Sequence, residues 1–349
     1  MGVPLEILFI LVLAICLTYT YTNGFQDGSS VSASAIGSRA LTPLQTVSLV
    51  ATFELGGALF GGSSVASTVH SITSWPDRPD LLPVLASGLS GAVLWNFITR
   101  QLRFPSSSTH ALIGGLLGAL FAASGNDRYI VWGDPDSVLH STAVWRVAFG
   151  LFLSPLIGFT AGCALTKIGT SCLSRASTRV NRTLCRAQWL STAVLAFGHG
   201  ANDTQKAMGV MLIALRAVGM NAGQGVPLWI RLVVGATMVG GVASLATGIV
   251  RRVGSGIYKL RPLHGLVTQV GSAAILVGAS LTGAPVSATQ VISSCVMGAG
   301  FAERRKGVHW LVAKDMLMSW FFTIPCAALL SWTLHVTALH WLSVLEPSS

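Results

Sequence analysis

Charge is scarce in this sequence. Lys, Arg, Asp and Glu together make up 10% of 349 residues, against roughly 25% in ordinary soluble domains. Cysteine is sparse too. Six residues with no CxxC spacing exclude a disulfide framework and a thiolate metal site. HExxH and GxSxG signatures are absent, so nothing marks the chain as an enzyme, and no cofactor or resident metal is implied. Hydrophobic residues, by contrast, make up 52%. They gather in runs such as Pro4–Thr18, Val226–Ala246 and Leu263–Leu281, near the length of about 20 residues that a bilayer core demands of a helix. The sequence therefore predicts an all-α polytopic protein whose solvent is the lipid bilayer. The first run carries only Glu6 and lacks a basic n-region, so it reads as a first membrane helix rather than a cleaved signal peptide.

The formal net charge is +10, but its placement argues against a nucleic-acid partner. Lys167, Arg175, Arg179, Arg182 and Arg186 crowd one linker. Arg251, Arg252, Lys259 and Arg261 crowd a second, and Arg304, Arg305 and Lys306 a third. Acids collect elsewhere, as Asp77, Asp80, Asp127, Asp134 and Asp136. Basic linkers face the cytoplasm, so this pattern sets topology. Arg216 and Arg231 fall on the predicted outer side, as exceptions.

The chain also repeats itself. "PSSSTHALIGGLLGAL" (Pro105–Leu120) aligns without a gap to "PVSATQVISSCVMGAG" (Pro285–Gly300). "NGFQDGSSVSASAIG" aligns to "HGANDTQKAMGVMLI", pairing Gly24 with Gly200, Gln26 with Asn202 and Asp27 with Asp203. The halves are 1–166 and 187–349, joined by a basic cytoplasmic linker, 167–186. In the second half, helices near Ala187–Leu215 and Leu228–Val250 return the chain inside. A re-entrant hairpin follows, ending in Pro285–Phe301, and a last helix spans about Trp310–Val336. That gives an odd number of crossings, so the tandem halves have inverted topology, each with a broken helix and a re-entrant hairpin. Such repeats set a binding site between the halves.

The polar motifs would line that site. Ser107, Ser108 and Thr109, and Ser287 and Thr289, start the half-helices at the two hairpin tips, where free N–H groups and the helix dipole favour an anion. The plain alternative is helix capping. Asp27 and Asp203 mark the expected helix breaks, and a charge at that depth points to function. Lys206 can pair with Asp203 three residues earlier, whereas Asp27 has no such cation. His110 and His199 could take protons or only hydrogen-bond locally. Arg100 and Arg103 could draw anions inward or snorkel. Lys314 and Asp315 could form a buried pair, and Trp132, Trp145, Trp310 and Trp341 read as interfacial anchors.

"GFQDGSSVSASAIGSRAL", "FPSSSTHALIGGLLGA", "HGANDTQKAMG" and "APVSATQVISSCVMGAG" resemble the signatures of the PiT inorganic phosphate transporter family, in order and over nearly the whole chain. The resemblance implies a symporter in the cell membrane that carries inorganic phosphate with a coupling cation. Gln26, Ser107, Ser108, Thr109, Asn202, Ser287 and Thr289 would bind substrate, and Asp27, Asp203 and Lys206 would serve the coupling ion or proton. The family pattern Gly-x-Asn-Asp-x-x-Asn departs here at Gln26, Ser30 and Lys206. These changes remove carbonyl ligands that sodium would want. The second copy is most similar to the bacterial low-affinity branch, regarded as proton-coupled and able to carry metal–phosphate complexes. Asp27 is then left to take up a proton or a metal cation. A sulfate permease of the same fold is the alternative, ahead of an anion channel or a membrane-embedded enzyme. A homodimer is left open.

Overall fold

The structure is a computed structural model, which describes residues 4–102, 104, 106–134, 144–220, 223, 225–244 and 247–345. Arg103, Pro105, Asp136 and His140 lie outside the described residues. Regular structure among the described residues is helical, apart from one bridge between Thr73 and Ile130.

Among the described residues, each half supplies six α-helices in the same order. The first has α1 (Leu5–Gly37), α2 (Pro43–Phe60), α3 (Ser64–His70), α4 (Leu81–Gln101), α5 (Ser108–Ser124) and α6 (Val144–Cys172). The second has α7 (Val180–Ala217), α8 (Leu228–Ala243), α9 (Thr247–Arg251), α10 (Pro262–Thr282), α11 (Ala288–Arg304) and α12 (Trp310–Leu345). Among the described residues, five helices are long and apolar enough to cross a membrane, and two bent pairs, α2–α3 and α8–α9, bring the spans to as many as seven. The protein is thus a multi-pass membrane protein. Of the stretch read as a basic linker, only 173–179 lies outside helices.

The inversion is visible in how the core is layered. Buried apolar residues form two clusters with a polar belt between them. Along α1 the chain leaves one cluster after Tyr19, crosses polar residues and enters the other at Val31. Along α7 it leaves the second cluster after Ala196, crosses the belt and joins the first at Ala207. The two motif helices therefore traverse the same layers in opposite directions. The hairpin α4–α5 belongs to the first cluster and α10–α11 to the second. Arg216 sits at the acidic end and is neutralised by Asp77 at 2.6 Å. Arg231 caps carbonyls of Val226 and Leu59. Both outer-side exceptions to the charge rule thus have local partners.

The broken helices lie elsewhere than the sequence suggested. α1 and α7 run unbroken through Asp27 and Asp203. The breaks fall between α2 and α3, bent by 70°, and between α8 and α9, bent by 68°. At the first, Gly62 takes φ +87°, a region open to glycine. Gln205 then repairs the break: its Oε1 accepts from Val65 N and Ala66 N at 2.9 and 3.2 Å, and its Nε2 donates to Gly61 O at 2.9 Å. Free helix ends at this depth must find such partners inside the protein.

The halves interlock. α5 packs on α12 and α6 on α11, while α1 packs on α8 and α2 on α7. Glycine allows these contacts. A Cβ on Gly118 would overlap the backbone of Ala328, and one on Gly298 the backbone of Phe159. Lys314 and Asp315 do not pair: Asp315 binds Arg252 at 3.1 Å, and Lys314 is exposed. Trp132, Trp145, Trp310 and Trp341 are all exposed.

Candidate functional site

The polar belt is built from α1, α7 and the two hairpin tips. Asp27, Asp203, Lys206, Ser108, Thr109 and Thr289 are all fully buried. Ser108 and Thr289, from the two tips, donate their hydroxyls to the two carboxylate oxygens of Asp27. Ser30, one turn further along α1, is 3.1 Å from Thr289 Oγ1.

Lys206 occupies the repeat position of Ser30 and makes the corresponding contact with the other tip. Its ammonium donates to Asp203 Oδ1 at 2.6 Å, Thr109 Oγ1 at 2.6 Å and Val286 O at 2.7 Å. Three donors thus meet three acceptors, which is what a buried ammonium requires. Val286 belongs to one tip and Thr109 to the other, and Thr109 Oγ1 also donates to Val286 O at 3.3 Å. Lys206 therefore ties both tips to α7.

Gln26 and Asn202, the equivalent amides, hold tip backbone. Gln26 Nε2 donates to Ser106 O at 3.1 Å and Ser106 Oγ at 2.5 Å. Asn202 Nδ2 donates to Ala284 O at 3.0 Å, and its Oδ1 accepts from Val286 N at 3.4 Å. Ser107 and Ser287 are spent as caps, accepting from His110 N and Gln290 N at 3.2 and 3.4 Å. His110 turns its ring to Ser107, with Nδ1 at 2.6 Å from Oγ. Arg100 stacks its guanidinium 4.0 Å from the Phe25 ring centre. Of the ten residues singled out by sequence, six converge on one cluster. Gln26, Asn202, Ser107 and Ser287 form the frame that shapes the tips.

Sequence reasoning missed two members. Asn23 lies between the carboxylates. With its amide nitrogen turned toward them, it donates to Asp27 Oδ2 at 2.8 Å and Asp203 Oδ2 at 3.3 Å. Glu54, from α2, is fully buried, with Oε1 2.6 Å from His199 Nδ1. Glu54 is the sole charge in α2, and that isolation in an apolar run was a usable signal. Asp27, His199 and Asp203 could together hold a cation, since each offers a ligand atom within 4.8 Å of the others. The belt thus combines opposed helix starts, hydroxyl donors, a buried ammonium and carboxylates, a set that can hold an oxyanion beside a cation.

The family model described as the phosphate transporter family matches the chain twice, over residues 23–176 and 166–331. A Bacillus subtilis (strain 168) protein described as a probable low-affinity inorganic phosphate transporter is 33% identical over 329 residues, covering 93% of this chain and 96% of the relative. A Rhizobium meliloti (strain 1021) protein with the same description is 33% identical over 323 residues, covering 92% and 93%. A solved structure described as the sodium-dependent phosphate transporter superposes with a TM-score of 0.83 at 21% identity, over 97% of this chain and all of that one. The fold, the doubled motifs and these matches agree: the chain belongs to the phosphate transporter family.

Proposed function

We propose that this protein is a symporter that carries inorganic phosphate across the cell membrane with a cation other than sodium, driven by an inward proton gradient. The observation that carries the reading is Lys206. In the family pattern its position holds an amide, a neutral oxygen ligand suited to a hard cation. Here it holds a lysine whose side-chain nitrogen touches both tips. Its ammonium supports an anion between the starts of α5 and α11 without a sodium ion on this side. Phosphate would take over the hydroxyls of Ser108, Thr109 and Thr289, which now donate to Asp27 or meet Lys206. Exchanging one set of hydrogen bonds for another leaves no buried donor bare, which keeps the cost of occupancy low. A protonated phosphate can also donate to Asp27, and sulfate, lacking a proton, cannot.

The test is radiolabelled phosphate uptake into proteoliposomes. Uptake should proceed in sodium-free buffer, rise with an imposed inward proton gradient and resist sulfate competition. Lys206→Asn, which restores the family's amide, should make uptake depend on sodium. Strict sodium dependence of the unaltered protein would refute the lysine's role.

A further inference from the structure

Of the two arginines that depart from the charge rule, Arg231 is spent on backbone carbonyls. Arg216, in the last turn of α7, instead borders a cavity of about 480 Å³, a size usual for small-molecule sites. Ser67 and His70 of α3, with Asp77 and Leu212, share its wall. The ion pair with Asp77 engages Nε at 2.6 Å. Among the described residues, the buried Nη2 of the same guanidinium has no hydrogen-bond partner. A guanidinium carries its N–H donors in a planar fork that suits two oxygens of one oxyanion. The pair is also unequal, with the Arg216 side chain 29% exposed and that of Asp77 57%. Exposed ion pairs contribute little, so the carboxylate can turn into water and yield its place to a soluble anion. Asp77, Asp80 and Asp127 make this face acidic, and an anion approaching it needs a local cation to draw it in.

The same device recurs at the basic end. α3 and α9 are the two half-helices set off by bends, one in each half, and each borders a cavity. The one beside α9, about 510 Å³, is lined by Thr247, Gly248, Arg251 and Arg252. Arg252 pairs with Asp315 at 3.1 Å, and again the aspartate is the more exposed partner. Carrying the Gly24–Gly200 alignment onward sets Ala40 opposite Arg216, so the two ends share a chemistry rather than copied residues. α3 also stands between its cavity and the polar belt. Thr68 Oγ1 donates to Gly283 O at 2.7 Å, three residues before Val286, whose carbonyl holds Lys206. One helix, about 10–12 Å across with its side chains, therefore separates the cavity from a hairpin tip.

We propose that the cavity at the acidic end is a docking vestibule for a small oxyanion, with Arg216 as its ligand and Asp77 as a displaceable latch. That the docked ion is phosphate on its way to transport rests on the reading above; the oxyanion site does not. The probe is inorganic phosphate, and the reporter is Met220→Cys, since Met220 lines the cavity and is exposed. The purified full-length protein, without its six native cysteines, is held in phosphatidylcholine nanodiscs at fixed ionic strength. Phosphate should slow modification by the anionic reagent methanethiosulfonate ethylsulfonate. The half-protecting concentration should rise about two- to fivefold in Arg216→Gln and fall by about the same factor in Asp77→Asn, the range that a partly exposed charge pair allows. Asp77→Asn keeps the arginine, which covers the case in which Arg216→Gln does not fold. Asp315→Asn, at the other end, should leave the concentration unchanged. In intact cells the KM for phosphate uptake should follow the same order, with kcat unchanged. An ion pair that serves stability alone predicts shifts of one sign in both variants, and that result overturns the proposal. So does an absence of protection by phosphate. Protection that appears only when phosphatidylglycerol enters the disc gives the cavity to a lipid headgroup and overturns it too. Protection as described, without phosphate uptake in proteoliposomes, leaves the vestibule standing and removes the transport reading instead.

Discussion

Lys206 shows how a single side chain can be costly and stabilising at once. Its ammonium is fully buried, and every proton meets an oxygen. Breaking a buried pair by removing one partner leaves the other charge uncompensated, at a cost of about 3–5 kcal/mol. Lys206→Met should therefore lower the unfolding temperature markedly in detergent, more than Thr109→Ala, which removes one hydroxyl and costs about 0.5–1.5 kcal/mol. Gln205 offers a separate test. It satisfies donors at the start of α3 from another helix. Gln205→Ala should destabilise by about 1–3 kcal/mol, the penalty for an unmet buried polar group. Faster amide exchange at Val65 and Ala66 is the measurement that checks it. At this scale the sequence was partly legible. Asp27, Asp203 and Lys206 stood out as ionisable residues in apolar surroundings. Asn23 and Glu54 were passed over: Asn23 opens an aligned stretch but carries no charge, and Glu54, though isolated in an apolar run, meets His199 only in three dimensions.

At the scale of helices, the hairpins were readable and the breaks were not. Each tip announces itself with proline and a short hydroxyl run that changes the chain's chemistry abruptly. The motif segments looked like breaks because polar residues interrupt apolar ones. In α7 the segment stays helical because Ala, Gln, Lys and Met are good helix formers; in α1, where Gly and Ser dominate, neighbouring elements hold the helix by satisfying its side chains. The real bends fall at the glycine–serine stretch Gly61–Ser63 and between α8 and α9, neither of which carries chemistry to draw attention. Close packing yields a prediction here. Gly118→Leu should separate α5 from α12, since the glycine lies against the Ala328 backbone, and should give aggregated protein on size-exclusion chromatography. Gly278→Leu, where nothing lies within 4 Å of an added Cβ, should remain monodisperse.

For the molecule as a whole, opposite layering of the two halves fixes the sides. The exposed, basic-flanked Ser177 and the exposed, acid-flanked Asn126 belong to opposite faces. In a background without the six native cysteines, Asn126→Cys should react with an impermeant thiol reagent on intact cells, and Ser177→Cys should react only after permeabilisation. The reverse pattern would overturn the orientation. The interlock described above also bears on how such a protein is made. A chain emerges from the ribosome N-terminus first, yet α5 packs on α12, more than 180 residues downstream, and α6 on α11, just before it. The first repeat cannot close by itself. Its glycine faces must wait, half-assembled in the bilayer, until the second repeat arrives. Completion of the fold is therefore postponed until α12 has been made, and a product that stops short of α12 would be left as an open, degradable intermediate.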